Sequence, residues 1–96
     1  MASINFEGNF LSRRAIIHFS HRDIVKIDDA VETSTVIGSL LSAATSEPIS
    51  GAICAVVSAS WFIIKRTDRR NGSQGCTIVL YRTNPVLSLW IPVNIY

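Results

Sequence analysis

Two histidines and an aspartate stand together as H-x-x-H-x-D at His18, His21 and Asp23, residue types that can ligate a metal. The spacing spans an expected strand-to-helix junction, where the two rings need not converge, and the sequence offers no obvious third ligand. The natural reading is a pair of histidines that cap or decorate the junction. Asp28 and Asp29 are adjacent, so on a helix their carboxylates point about 100° apart and cannot form a glycosidase-like pair. The run DRRNGSQG, Asp68 to Gly75, has the glycines and arginines of a phosphate-cradling loop, but it follows a helix and meets that helix's negative end. No G-x-S-x-G elbow accompanies the many serines. Cys54 and Cys76 lack metal-type spacing and read as free thiols; a disulfide from helix to strand, the minor alternative, would need an oxidising compartment. The expectation is a protein that is not an enzyme, with no cofactor, no metal and no small-molecule substrate.

The elements around these residues follow from periodicity. Alternation from Ser3 to Phe10 puts Ile4, Phe6 and Phe10 on one face and Asn5, Glu7 and Asn9 on the other, a half-buried strand. Arg14 to Phe19 alternates in the same way. The turn between them is either a two-residue turn at Gly8-Asn9 or, preferably, a bend at Leu11 to Arg13. Ser20 and Asp23 have capping-box spacing, so a helix is expected to start there, with Ile24, Ile27 and Val31 on its apolar side. Thr33 to Ser46 carries no charge, and a break near Thr33 to Thr35 is expected because hydroxylated residues are poor helix interior. Ser46-Glu47-Pro48 reads as a new helix start, with a second helix from about Glu47 to Arg69 and a stop at Asn71-Gly72. Cys76 to Arg82 reads as a strand, Thr83-Asn84-Pro85 as a turn and Val86 to Ile95 as a last strand, which Pro92 assigns to an edge or a bulge. The predicted fold is α+β in the order ββααββ, a single domain over residues 1–96. Terminal β-hairpins form a small antiparallel sheet around a central apolar helical hairpin.

Ninety-six residues give a thin core, and with 48% hydrophobic and only 17% charged residues there is little polar material to cover it. An apolar surface left over favours self-association or a membrane. The formal charge of +2 is too small to argue for nucleic acid. The residues such a partner would use, Arg13, Arg14, His18, Arg22 and the Lys65 to Arg70 cluster, are offset by acids, while the aromatics lie in apolar runs, so no nucleic-acid partner is expected. Met1 to Phe10 has no basic n-region and no apolar block, so a cleaved secretory signal is not legible; the sequence leaves the localisation open, with cytoplasmic synthesis and membrane association compatible with it.

The helical hairpin carries the strongest signal. Gly51, Ala55 and Ala59 recur every four residues beside Ser50, Cys54 and Ser58, and the first helix offers Gly38 and Ser42. Small-xxx-small rows let helix backbones approach closely. The second helix has no hydrophilic side before Lys65, and a helix that is apolar all round is expected to be buried all round. Its uncharged stretch, Pro48 to Ile64, is 17 residues, the lower edge of a membrane span. Trp61 and Phe62, followed by Lys65, Arg66, Arg69 and Arg70, resemble an interfacial anchor with a basic flank. In style the hairpin looks like those of small pore-forming or bacteriocin-like proteins, although no family motif is matched. The expected function is that of a self-associating, membrane-active, toxin-like protein. In it Gly38, Ser42, Gly51, Ala55, Ser58 and Ala59 pack helices, Trp61 and Phe62 sit at the interface, and the four basic residues meet an anionic membrane. The alternative is a soluble homo-oligomeric structural or interaction protein whose hairpin is a subunit interface.

Overall fold

The computed structural model describes residues 2–8, 12–30, 32–45, 51–82 and 89–96. In chain order these form β1 (Ser3–Gly8), β2 (Arg13–Phe19), α1 (His21–Asp28), α2 (Thr33–Ala44), α3 (Gly51–Ala59), α4 (Trp61–Arg70), β3 (Cys76–Arg82) and β4 (Trp90–Ile95). The four strands make one antiparallel sheet in the order β1-β2-β3-β4, so the two terminal hairpins join through β2 and β3. The α+β order expected from the sequence is the order found, with each expected helix divided in two. The corner at Ser46-Glu47-Pro48, the turn at Thr83-Asn84-Pro85 and the first residues of the last strand lie outside the described residues.

Alternation in the strands has the anticipated result. Ile4, Ala15, Ile17, Phe19, Cys76, Ile78, Leu80 and Trp90 are buried on the face that the helices cover. They meet Ile24 and Ile27 of α1, Ile37 and Leu41 of α2, Ile53 and Val57 of α3, and Trp61 and Ile64 of α4. At the rim of that core, Phe6 packs on Trp90 with ring centroids 6.2 Å apart, and the Arg13 and Arg82 guanidinium groups lie 4.4 and 5.5 Å from those two rings respectively. These cation–π contacts seal one end of the sheet.

Gly8 stands opposite Arg13, which is incompatible with a two-residue turn at Gly8-Asn9. β1 is described as far as Gly8, a glycine with a φ of +97°, and Asn9 to Leu11, where the expected strand end and the start of the preferred bend fall, lie outside the described residues. On β4 the register slips between Val79 and Leu80, beside Pro92, so the proline falls where the ladder is irregular on an edge strand.

α1 starts as its capping box dictates. The Ser20 hydroxyl accepts the Asp23 N–H at 3.2 Å and donates to Asp23 Oδ2 at 2.9 Å, and the Ser20 N–H donates to the same oxygen at 3.0 Å. α1 ends at Asp28 and α2 begins at Thr33, so the hydroxylated run opens the second helix instead of interrupting the first. Thr33, Ser34 and Thr35 occupy the first turn of α2, where the N–H groups have no intrahelical partner anyway, and Thr35 Oγ1 donates to Glu32 at 3.1 Å.

The expected single helix from Glu47 to Arg69 is interrupted at Ser60. Its N–H is shared between the carbonyls of Val56 (3.0 Å) and Val57 (3.2 Å), and α4 begins immediately after it. The end of α4 is a Schellman motif: Gly72 N–H donates to the Arg69 carbonyl at 3.2 Å and Ser73 N–H to the Asp68 carbonyl at 2.9 Å. Gly72 takes a φ of +67°, as the Asn71-Gly72 stop signal requires.

Candidate functional site

α4 brings together the residues with distinctive chemistry, and its orientation is fixed from inside. Asp68 is 3% exposed. Its Oδ1 accepts the Gly75 N–H at 2.8 Å, and its Oδ2 lies 2.7 Å from His21 Nδ1. One carboxylate thus ties the last turn of α4 to the start of β3 and the start of α1. Gly75 is essential to the approach: its φ is +107°, and a Cβ there would stand 2.6 Å from the Phe19 carbonyl oxygen. The two histidines of the H-x-x-H-x-D run have parted company, since His18 Nδ1 pairs with Thr77 Oγ1 at 3.0 Å on the opposite face of the sheet.

A second tie lies one turn and a half earlier. Asp28 Oδ1, at the end of α1, accepts Trp61 Nε1–H at 3.3 Å and Lys65 Nζ at 3.2 Å. Hydrogen bonds from Lys65 and from Trp61 hold the Asp28 carboxyl below its usual pKa against a smaller opposing effect of burial. Trp61 is 9% exposed and packs edge-on against Phe19, with ring centroids 6.1 Å apart. Read from the sequence as an interfacial anchor, Trp61 stands in the core of this fold.

With Trp61, Ile64 and Asp68 turned inward, helical periodicity sends the residues between them out. Phe62 is 73% exposed and Ile63 is 51% exposed. Arg66, Arg69 and Arg70 are exposed, without an ion-pair partner among the described residues, while Lys65 is half-buried beside Asp28. Phe62, Lys65, Arg66 and Arg69 wall a notch of about 250 Å³. On the other flank of α4, Ser60 and Ile63 with Pro92, Val93, Asn94 and Ile95 of β4 line a hollow of about 380 Å³. Ile91, Val93 and Tyr96 are exposed as well. An apolar and cationic corner therefore runs from α4 onto the edge strand.

The small residues of the hairpin divide into two groups. Gly38 faces Cys54, whose sulfur is 3.5 Å from where a glycine Cβ would stand, so this pair lies in the α2–α3 contact. Ser42, Gly51, Ala55 and Ala59 are exposed. The Ser58 hydroxyl is shielded from solvent and makes no hydrogen bond among the described residues. A helix apolar all round is thus not buried all round within one chain. α3 and α4 bury the stripe Ile53, Val57, Trp61, Ile64 and Asp68 and leave the opposite side uncovered. Both cysteines are free.

Sequence reasoning missed Ile63, Ile91 and Val93 as surface residues and missed the His21–Asp68 pair. A usable signal for the latter was Asp68 itself, the one acid inside the run from Lys65 to Arg70. Comparison with protein-family models, with curated proteins and with solved structures finds no match for this chain.

Proposed function

We propose that this is a small self-associating protein that acts on anionic membranes through the corner formed by α4 and β4. The observation that carries the proposal is the pairing, on one short helix, of two exposed large apolar side chains, Phe62 and Ile63, with exposed Arg66, Arg69 and Arg70. Aromatic and aliphatic groups flanked by cations are suited to the boundary between acyl chains and anionic head groups. Among the described residues no helix is long and apolar enough to cross a membrane, so the proposed engagement is interfacial, with the helix lying along the surface. Val93, beside Ile63, extends the apolar contact, and the outward row Gly51, Ala55 and Ala59 supplies a close-packing surface for a second copy.

The test is flotation of the purified chain with phosphatidylcholine vesicles, with and without phosphatidylserine. Binding is expected only when the anionic lipid is present. Replacing all three arginines by glutamine (R66Q, R69Q and R70Q together) is expected to weaken it by about 3 kcal/mol at about 1 kcal/mol per cation, roughly two orders of magnitude. A chain that ignores both vesicle types and forms a stable oligomer in their absence would overturn the proposal. It would favour a second function, a soluble homo-oligomeric interaction protein, for which the uncovered hollow between Ile63 and Val93 is the specific support.

A further inference from the structure

We propose that the notch walled by Phe62, Lys65, Arg66 and Arg69 binds a phosphomonoester dianion in preference to a singly charged phosphodiester head group. The inference rests on α4 facing an anionic membrane and names the chemistry that the same face selects. Phe62, Arg66 and Arg69 follow one another at i, i+4 and i+7, with Lys65 alongside, so one stripe of α4 presents all four side chains to the same volume of about 250 Å³. That volume holds several waters at about 30 Å³ each, and therefore a phosphate group.

Among the described residues no carboxylate lines the notch. The only acid within the basic run, Asp68, is drawn into the interior and occupied there by His21 and the Gly75 N–H, so it does not neutralise its neighbours at the surface. Asp28 touches Lys65 at 3.2 Å and steadies that side chain, yet leaves Arg66 and Arg69 to an external anion. The negative pole of α4 opposes anions at its last turn, but its carbonyls there are engaged by the Schellman bonds, and the notch begins two turns earlier at Phe62. Two planar guanidinium forks and an ammonium suit a group with three terminal oxygens and a charge near −1.5 to −2, roughly that of a phosphomonoester. A phosphodiester offers two such oxygens and one charge, leaving part of the donor set unanswered. Phe62 at the rim gives the apolar contact expected of a lipid that carries the phosphate.

The source of the phosphomonoester, a lipid head group or a free solute, is decided in the same experiment. The full chain is floated with phosphatidylcholine vesicles containing phosphatidic acid, and with vesicles whose phosphatidylserine content is raised until the measured surface potential is equal. Binding to phosphatidate is expected to be roughly tenfold tighter or more at matched potential. The double variant R66Q/R69Q is expected to bind both vesicles equally, whereas Arg70→Gln, outside the notch, weakens both in parallel and keeps the preference. Glycerol 3-phosphate that competes for the phosphatidate vesicles identifies a site for the free monoester as well; failure to compete identifies the lipid as the ligand. Equal binding of wild type at matched potential, or a preference that survives R66Q/R69Q, overturns the inference while leaving the membrane proposal standing. Loss of binding to both vesicles by the wild type overturns both.

Discussion

Replacing Asp68 by alanine probes the joint on which the orientation of α4 depends. Two consequences can be sized from the structure. The buried Gly75 N–H, 2.8 Å from Asp68 Oδ1, loses its acceptor in a place where the close approach to the Phe19 carbonyl leaves little room for a substitute. An unsatisfied buried donor costs about 1–3 kcal/mol. The contact between Asp68 Oδ2 and His21 Nδ1 at 2.7 Å also goes, but the His21 side chain is 47% exposed, so solvent screening reduces that loss to about 1 kcal/mol. Together the change amounts to about 3 kcal/mol, against a total stability of about 5–14 kcal/mol for a chain of this length. The melting temperature is expected to fall by roughly 12–24 °C, measured calorimetrically and supported by urea unfolding with an unchanged m-value. Asp68→Asn separates the two parts, because its amide oxygen can still take the Gly75 N–H while its NH₂ meets His21; it is expected to lose about 1 kcal/mol, as is His21→Ala. An Asp68→Ala variant within about 1 kcal/mol of wild type, or no milder effect from asparagine, would refute the assignment of Asp68 as the tie between α4, β3 and α1.

Other consequences are equally concrete. Gly75→Ala must place a Cβ 2.6 Å from the Phe19 carbonyl oxygen at a φ of +107°, so it is expected to destabilise the chain by at least about 2 kcal/mol, read from the same melts. Ser20→Ala removes the cap of α1 at a cost of about 1 kcal/mol near neutrality. Burial acts to raise the Asp23 pKa, hydrogen bonds from the Ser20 N–H and then its hydroxyl are the largest of the opposing effects, and the carboxyl lies below its usual 3.8. The stability from this shift is full above about pH 4 and is lost as pH falls through the lowered folded value, so the gap between Ser20→Ala and wild type should narrow in acid. Burial first, and the nearby Asp68 carboxylate second, push the Cys76 thiol up to about 11. Iodoacetamide at pH 8 is therefore expected to spare Cys76 in the folded chain and to label half-buried Cys54 first, with both reacting in denaturant; rapid native labelling of Cys76 would contradict its burial.

Features encoded over three or four residues were legible in the sequence. Ser20 and Asp23 are close enough for their capping geometry to be local, and Asn71-Gly72 specifies a helix end because glycine alone takes the left-handed turn without strain. β3 runs from Cys76 to Arg82 as its alternation indicates. The division at Ser60 was not legible, because a run from Ile49 to Ile64 with apolar or small residues on every side has no phase from which to choose an inner face. The choice between Trp61 and Phe62 falls to partners distant in sequence: Asp28 and Phe19 draw the tryptophan in. The His21–Asp68 pair joins residues 47 positions apart and leaves no local periodic trace. The cationic cluster, by contrast, was visible, while the removal of its one acid from the surface depended on that same long-range pair.

The inner tie and the outer face of α4 are two results of one constraint. A helix repeats every 3.6 residues, so anchoring Trp61, Ile64 and Asp68 inside compels Phe62, Arg66 and Arg69 to the other side. Had Asp68 stayed at the surface, it would sit among Arg66, Arg69 and Arg70 and cancel part of their field. Turned inward, it leaves that field to an outside partner and supplies the bond that holds the helix in this rotation. Stability and the proposed membrane contact therefore divide cleanly by residue. Substitutions on the outer stripe, where Phe62 and the arginines touch little of the fold, should change vesicle binding with melting behaviour intact. Substitutions on the inner stripe should change melting first and binding only as a consequence of a loosened helix.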